Sequence, residues 1–221
     1  MYLVRKARNV LRAVLQAYGT ENAKRSLWNK EFAGGRWDCL DNTPSDCVYP
    51  HVEKYANNGG VLDLGCGSGS TGNELDAATY RYYQGVDISD AAIEKAQRRS
   101  EVNGRTDRNT YCQSDIFSYV PNQRFDVILF RDSIYYIPRA KVKVMLHRYA
   151  KYLTAGGVFI VRMANGHDTY QAFVDTIDSN FDVVEKHLSY QPDAVVIVFR
   201  LPVSGEPAKI SDPRVSHRSQ S

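Results

Sequence analysis

The first apolar pattern in the chain has the period of a helix. Leu3, Ala7, Val10, Leu11, Val14, Leu15 and Tyr18 recur at helical spacing, with Arg5, Lys6, Arg8 and Arg12 on the remaining surface. This predicts an amphipathic helix over residues 3–18, docked on its own domain or on a partner. A basic amphipathic helix can also lie on a membrane surface. Residues 26–38 then hold both tryptophans, Trp28 and Trp37, on either side of Gly34-Gly35. Aromatic residues on a loop with such a hinge predict a lid over a ligand, or else a staple packing the arm onto the domain. The turn-rich Asp41-Asn42-Thr43-Pro44-Ser45 leads to a short helix over 51–56.

Beyond Gly59-Gly60, short apolar runs alternate with helical patterns. Strands are predicted over 61–64, 82–88, 110–115, 125–130, 158–163, 181–187 and 194–199. Ser89-Asp90 opens a helix that reaches about Arg99. Val142, Met145, Leu146, Tyr149 and Leu153 define a second, for which Gly156-Gly157 reads as the C-cap. Tyr170, Phe173, Val174 and Ile177 define a third. The alternation predicts an α/β fold, a doubly wound, mostly parallel, Rossmann-like seven-stranded sheet. Its last two strands are joined through Gln191-Pro192-Asp193, a link that suits an antiparallel C-terminal hairpin rather than a crossover. Residues 1–44 thus read as a helical arm and lid, 45–201 as one domain, and 202–221 as a disordered tail without periodicity.

Composition narrows this picture only slightly. A length of 221 residues suits one domain with a small appendage. The formal net charge of +3 is too mild to imply nucleic acid as a partner. There is neither a long uninterrupted apolar run nor a signal-peptide pattern, so no membrane span is expected. Cys39, Cys47, Cys66 and Cys112 form no C-x-x-C pair and lack histidines at zinc-finger spacing. They read as free thiols in a cytoplasmic protein without a metal site.

Chemistry concentrates where the first strand stops. Val61-Leu62-Asp63-Leu64-Gly65-Cys66-Gly67-Ser68-Gly69 is a buried strand that ends in a glycine turn and hands over to a helix. Such a turn lets a ligand approach the main chain and marks a nucleotide-cofactor site in an open α/β sheet. Gly67-x-Gly69-x-x-Gly72 fits the dinucleotide fingerprint. Asp63-x-Gly65-x-Gly67-x-Gly69 is a second pattern, with an acid inside the strand. Asp87, at the end of the second strand, can accept hydrogen bonds from both ribose hydroxyls of either cofactor. Asp115 followed by Ile116 can hold an adenine amino group and cover the ring, which dinucleotide sites do not require.

Together these features resemble the class I S-adenosylmethionine-dependent methyltransferases over about residues 45–201. The resemblance rests on the glycine motif, Gly85-Val86-Asp87-Ile88-Ser89, Ser114-Asp115-Ile116-Phe117, Phe125-Asp126-Val127-Ile128 and Leu153-x-x-Gly156-Gly157. It implies S-adenosylmethionine as cofactor. Gly65 and Gly67 would approach its methionine part, and Asp63 would support the turn and the amino group. Asp87 would hold the ribose and Asp115 the adenine. Cys66, Ile88, Ile116 and Arg131 complete the implied cofactor set, with Arg36 and Trp37 added if the arm is a lid. Base- and amide-modifying relatives often carry Asn-Pro-Pro-Tyr or Asp-Pro-Pro-Tyr after the fourth strand. Here Arg131-Asp132-Ser133-Ile134-Tyr135-Tyr136-Ile137 stands instead, which disfavours base methylation. Ser-x-x-Tyr-Tyr is similar to a segment of the nodulation N-methyltransferases that act on aminated sugar oligomers. Asp132, Tyr135 and Tyr136 are the groups expected to face the acceptor, unless the two tyrosines only pack beneath the following helix. The expected reaction is methyl transfer to O or N of a small metabolite or sugar. A nucleotide-dependent oxidoreductase and a catalytically silent partner subunit remain as alternatives.

Overall fold

The computed structural model describes residues 2–164, 166–190 and 193–202. Seven strands form one sheet: β1 Gly59–Leu64, β2 Tyr80–Asp87, β3 Asn109–Gln113, β4 Phe125–Arg131, β5 Leu153–Ala164, β6 Asp182–Tyr190 and β7 Asp193–Arg200. Their spatial order is β3-β2-β1-β4-β5-β7-β6. The first five run parallel to one another, and β7 pairs antiparallel with both β5 and β6. The mostly parallel sheet with its C-terminal hairpin matches expectation; Gln191 and Pro192 lie outside the described residues, as does the predicted tail from 203.

Both faces of the sheet are covered, which is why its strands read as continuous apolar runs. Leu62, Leu64, Ile128, Phe130, Phe159 and Val161 point to one core, shared with Val142, Met145 and Leu146 of α6 (Arg139–Ala150) and with Val174 and Ile177 of α7 (Gly166–Asp178). Val61, Val127, Leu129, Val158 and Ile160 point to the other, against Tyr49, Val52 and Ala56 of α3 (Tyr49–Ala56). Asp63 occupies a position on that second apolar face, fully buried, with the Tyr83 hydroxyl donating to it at 2.6 Å.

The helices follow their end signals. Ser89 caps α5 (Asp90–Val102) by accepting from the Ala92 N–H at 3.2 Å. Gly69, in the left-handed region at φ 77°, precedes the short α4 (Ser70–Glu74). Two expectations fail. α6 stops at Ala150, and Gly156-Gly157 lies within β5, where the β4–β5 register shifts between Phe125 and Val127. A Cβ on Gly157 would stand 3.0 Å from the Phe125 carbonyl oxygen, so the glycines serve a bulge rather than a helix end. Residues 26–33 are not loop: α1 (Tyr2–Tyr18) is followed by α2 (Glu21–Ala33), capped by Thr20, and Gly34 ends it. Among the described residues, no helix is long and apolar enough to cross a membrane.

Candidate active site

The strand order reverses between β1 and β4, and a cavity of about 710 Å³ opens beyond the carboxyl ends of β1, β2 and β4. This is where ligands bind in open α/β sheets. Gly65 (φ 86°) turns the chain out of β1, and the N–H groups of Gly65 and Cys66 both donate to the Val86 carbonyl, at 2.8 and 3.0 Å. A Cβ on Gly65 would meet Ser133 Cβ at 2.5 Å. Gly72 has a different reason to be glycine: a Cβ there would lie 2.7 Å from the Tyr83 ring. The third glycine of the dinucleotide-like spacing thus serves packing.

Every predicted site residue except Arg36 lines the cavity: Asp63, Gly65, Cys66, Gly67, Asp87, Ile88, Asp115, Ile116, Arg131, Asp132, Tyr135, Tyr136 and Trp37. Arg36 is turned to the surface. Gly35 (φ 72°) reverses the chain, and the Arg36 guanidinium faces Glu31 at 3.8 Å, half exposed, instead of the cavity.

Two carboxylates beside the glycine turn are held in unusual states. Burial pushes Asp63 up to about 6, against the opposing pull of the Tyr83 hydrogen bond and the Arg131 charge. One of its oxygens has no hydrogen-bond partner. Asp87 is likewise pushed up to about 6 by burial, although it accepts backbone N–H groups from Gly67 at 3.0 Å and Ser89 at 2.9 Å. At the end of β3, Asp115 accepts from the Phe117 N–H at 2.7 Å, with Lys24 Nζ of α2 3.7 Å from its other oxygen.

Beneath the Asp132 side of the cavity runs a buried chain of alternating charge. Asp46 takes Nε and Nη2 of Arg131 at 3.1 and 2.8 Å and lies 3.5 Å from Arg162 Nε. Burial pushes Asp46 up, but the Arg131 and Arg162 charges outweigh it and hold its carboxyl below the ordinary value. Arg162 also pairs with Asp132, whose other oxygen accepts from the Ala164 N–H at 2.8 Å. Arg131 lines the cavity, and its Nε and Nη2 are engaged by Asp46 and by the Thr43 hydroxyl at 2.8 Å.

The aromatic wall is shared between the domain and the arm. Tyr135 stacks on Tyr170 of α7 at 4.5 Å, nearly parallel at 7°, and Tyr136 meets Trp28 of α2 edge-on at 4.9 Å. Burial pushes the Tyr136 phenol up to about 12, and burial also raises Tyr135, so both stay neutral donors near pH 7. Trp37 packs 5.7 Å from Trp28, and its indole N–H donates to Glu31 at 3.2 Å. Glu31 also accepts from Arg12 of α1 at 2.8 Å. The two helices of the arm are thus latched to each other over the cavity.

The sequence did not single out Arg12, Gln16, Lys24, Phe32, Ser133, Arg162 or Tyr170 as cavity-lining residues, and it offered Trp28 only as part of a lid. Arg162 alone carried a signal, a lone charge within the otherwise apolar Val158-Phe159-Ile160-Val161-Arg162-Met163. Ser133 is there because it follows β4 and its hydroxyl donates to the Leu64 carbonyl; the rest reach the cavity through helix packing, which no local pattern encodes.

The described residues fit an adenosyl amino-acid cofactor. A buried carboxylate oxygen without a partner awaits a donor beside the glycine turn, and acids end or follow β2 and β3. Comparisons with known proteins agree. The family described as "Methyltransferase domain" matches residues 56–198. Among curated proteins, the mRNA cap guanine-N(7) methyltransferase of Schizosaccharomyces pombe is 33% identical over 126 residues. That match spans 52% of this chain but only 34% of the cap enzyme. The uncharacterized protein YbxB of Bacillus subtilis is 32% identical over 149 residues, covering 64% of this chain and 69% of YbxB. Among solved structures, the N-methyltransferase NodS of Bradyrhizobium japonicum, in complex with S-adenosyl-L-homocysteine, superposes with a TM-score of 0.63. It shares 18% identity, over 81% of this chain and 98% of NodS, and so shares the fold.

Proposed function

The chain belongs to the methyltransferase-domain family of the class I S-adenosylmethionine-dependent fold, and from that premise we propose that it transfers a methyl group from S-adenosylmethionine to a nitrogen or oxygen of a small metabolite or sugar. The observation that carries this reading is the unpartnered Asp63 oxygen, buried beside Gly65-x-Gly67. A carboxylate left so can accept from an ammonium group brought to the glycine turn, a group that a nicotinamide dinucleotide does not present. Asp87 then offers its remaining lone pairs to ribose hydroxyls, Asp115 accepts from the adenine amino group, and Ile88 and Ile116 cover the ring. When bound, the sulfonium cofactor supplies an electrophilic methyl group, and the protein supplies placement.

Among the described residues lining the acceptor side, none is a free general base. Asp132 has one oxygen on Arg162 and the other on the Ala164 N–H, and Tyr135 and Tyr136 are held neutral. An amine needs only to arrive unprotonated, whereas a hydroxyl needs its proton removed. Within the proposal, a nitrogen acceptor is therefore favoured. Trp28, Tyr135, Tyr136 and Tyr170 hold and dry the acceptor, and fixing its orientation is worth roughly 7–11 kcal/mol. The roof formed by α1 and α2 favours a small molecule or saccharide over a folded nucleic acid. Four free cysteines among the described residues suit a reducing compartment, and we place the protein in the cytoplasm.

Calorimetry tests the cofactor assignment: S-adenosylhomocysteine should bind and NAD should not. Binding of NAD in place of S-adenosylhomocysteine would overturn it. Labelled methyl transfer to amines, sugars and a cap analogue then identifies the acceptor class, and a cap analogue as sole acceptor would reverse the preference for small molecules.

A further inference from the structure

The arm helix α1 is turned inside out. Its polar face closes the cavity: Gln16 is 5% exposed, and Arg12 reaches in to Glu31. On a helix of about 3.6 residues per turn, positions 10, 11, 14 and 18 share another face, and there Val10 is 58%, Leu11 61%, Val14 50% and Tyr18 74% exposed. These are four of the ten large apolar side chains left in water among the described residues; the other six are Leu40, Val102, Val120, Val144, Leu188 and Tyr190. A contiguous apolar stripe at the surface marks an interaction site.

Charge says what the stripe fits. The sequence of α1 contains no acidic residue and sets Arg5, Lys6 and Arg8 around the turn before Val10 and Leu11, with Lys6 exposed. Arg12, the fourth cation, is spent inward on Glu31. An apolar stripe that follows a basic, acid-free stretch of the same helix, with Lys6 exposed, is complementary to the interface of an anionic bilayer, where apolar side chains enter the acyl boundary and Lys and Arg meet lipid phosphates. A second copy of the chain is a poorer occupant: parallel packing of α1 on α1 would bring two clusters of the same sign together, and antiparallel packing would offer those cations no acid from the partner helix.

We propose that α1 docks the protein onto the surface of an anionic lipid bilayer through Val10, Leu11, Val14 and Tyr18. The same helix would then face lipid on one side and the cavity on the other. This surface role is separate from methyl transfer and does not depend on it.

Flotation of the full chain with vesicles tests the proposal. The protein should float with phosphatidylcholine mixed with phosphatidylserine and remain behind with phosphatidylcholine alone. Raising salt from about 0.1 M to about 1 M should release it, because the screening length falls from about 10 to about 3 Å. The double substitution Leu11→Glu, Val14→Glu should lower the bound fraction about tenfold or more. It should leave S-adenosylhomocysteine affinity and melting temperature unchanged, since neither side chain lines the cavity. Should that variant fail to fold, Lys6→Glu asks the same question from an exposed position and should weaken binding to the anionic vesicles. Failure of the native chain to float with anionic vesicles overturns the proposal, as does undiminished flotation of the folded variants. A dimer in sedimentation that the double substitution dissolves would also overturn it, assigning the stripe to a second copy.

Discussion

The backbone N–H of Gly67 donates to Asp87 Oδ2 at 3.0 Å, which fastens the glycine turn after β1 to the acid that ends β2. The other Asp87 oxygen takes the Ser89 N–H at 2.9 Å. One side chain thereby sets the relative position of two loops that line the cavity.

Replacing Asp87 by Ala should therefore act twice. S-adenosylhomocysteine affinity should fall by about 1.5–3 kcal/mol, the range for hydrogen bonds to a charged group. Stability should fall by about 1–3 kcal/mol, because two backbone donors lose their acceptor. Calorimetry and denaturant unfolding read the two effects separately. Unchanged affinity in a folded variant would remove Asp87 from the cofactor site.

Acid should weaken the cofactor as well. Asp63 and Asp87 titrate at about 6 in the folded chain, above an ordinary aspartate value of about 3.9. With the folded value the higher one, the native state binds more protons between these limits. The stability these groups contribute is thus greatest below about pH 4, falls as pH rises to about 6, and is level beyond. Cofactor binding has the opposite slope, because an ammonium partner needs Asp63 ionised. S-adenosylhomocysteine affinity should drop as pH falls below about 6. Calorimetry in buffers of different ionisation enthalpy should detect proton release on binding near that pH. Flat affinity between pH 7 and 5 would show that neither acid meets the ligand.

Gly65→Ala should lose both fold stability and cofactor. The residue sits at φ 86°, and the added Cβ would lie 2.5 Å from Ser133 Cβ. Ser133 cannot yield freely, since its hydroxyl donates to the Leu64 carbonyl at 2.5 Å. A cost of about 1–3 kcal/mol is expected from the strained backbone alone. Native melting temperature in this variant would contradict the geometry of the turn.

Asp46→Ala should be among the most damaging single substitutions outside the apolar core. It strips the shared partner from Arg131 and Arg162, both largely buried. Removing one member of a buried ion pair costs about 3–5 kcal/mol. Urea unfolding should show it, and a loss below about 1 kcal/mol would mean that water reaches the network.

The arm can be read by fluorescence, because both tryptophans line the cavity. Titration with S-adenosylhomocysteine should change their emission and protect the chain from cleavage near Gly34. Trp37→Ala should weaken binding about tenfold, or about 1.4 kcal/mol. Silent emission together with unchanged cleavage would leave the arm as packing alone.

Much of the site was legible because its residues terminate strands. Asp63, Gly65, Gly67, Asp87, Asp115 and Asp132 sit where an apolar run stops, and a reader of the pattern can place them at one edge of the sheet. The arm was less legible. Residues 26–33 looked like a hinge loop because Trp28 and Gly34-Gly35 drew attention, yet Thr20 and Glu21 already supplied a helix start. Leu153-x-x-Gly156-Gly157 misled in the same way, since a glycine pair serves a strand bulge as well as a helix end. Nothing local could reveal that α1 faces inward with Gln16 and outward with Leu11. That orientation is decided by the cavity, and by Glu31 drawing Arg12 toward it.

The position of β7 has a consequence for how the protein is made. It is the last strand among the described residues, yet it lies inside the sheet, between β5 and β6. During synthesis the ribosome delivers β1 to β4, and with them most of the acids and glycines of the site, long before residue 200 emerges. Until then β5 presents an unpaired apolar edge, and β6 has no neighbour in the sheet at all. Such an edge is a template for pairing with another nascent chain. The β5 edge therefore stays open until late in the chain, and insertion of β7 is the event that closes it.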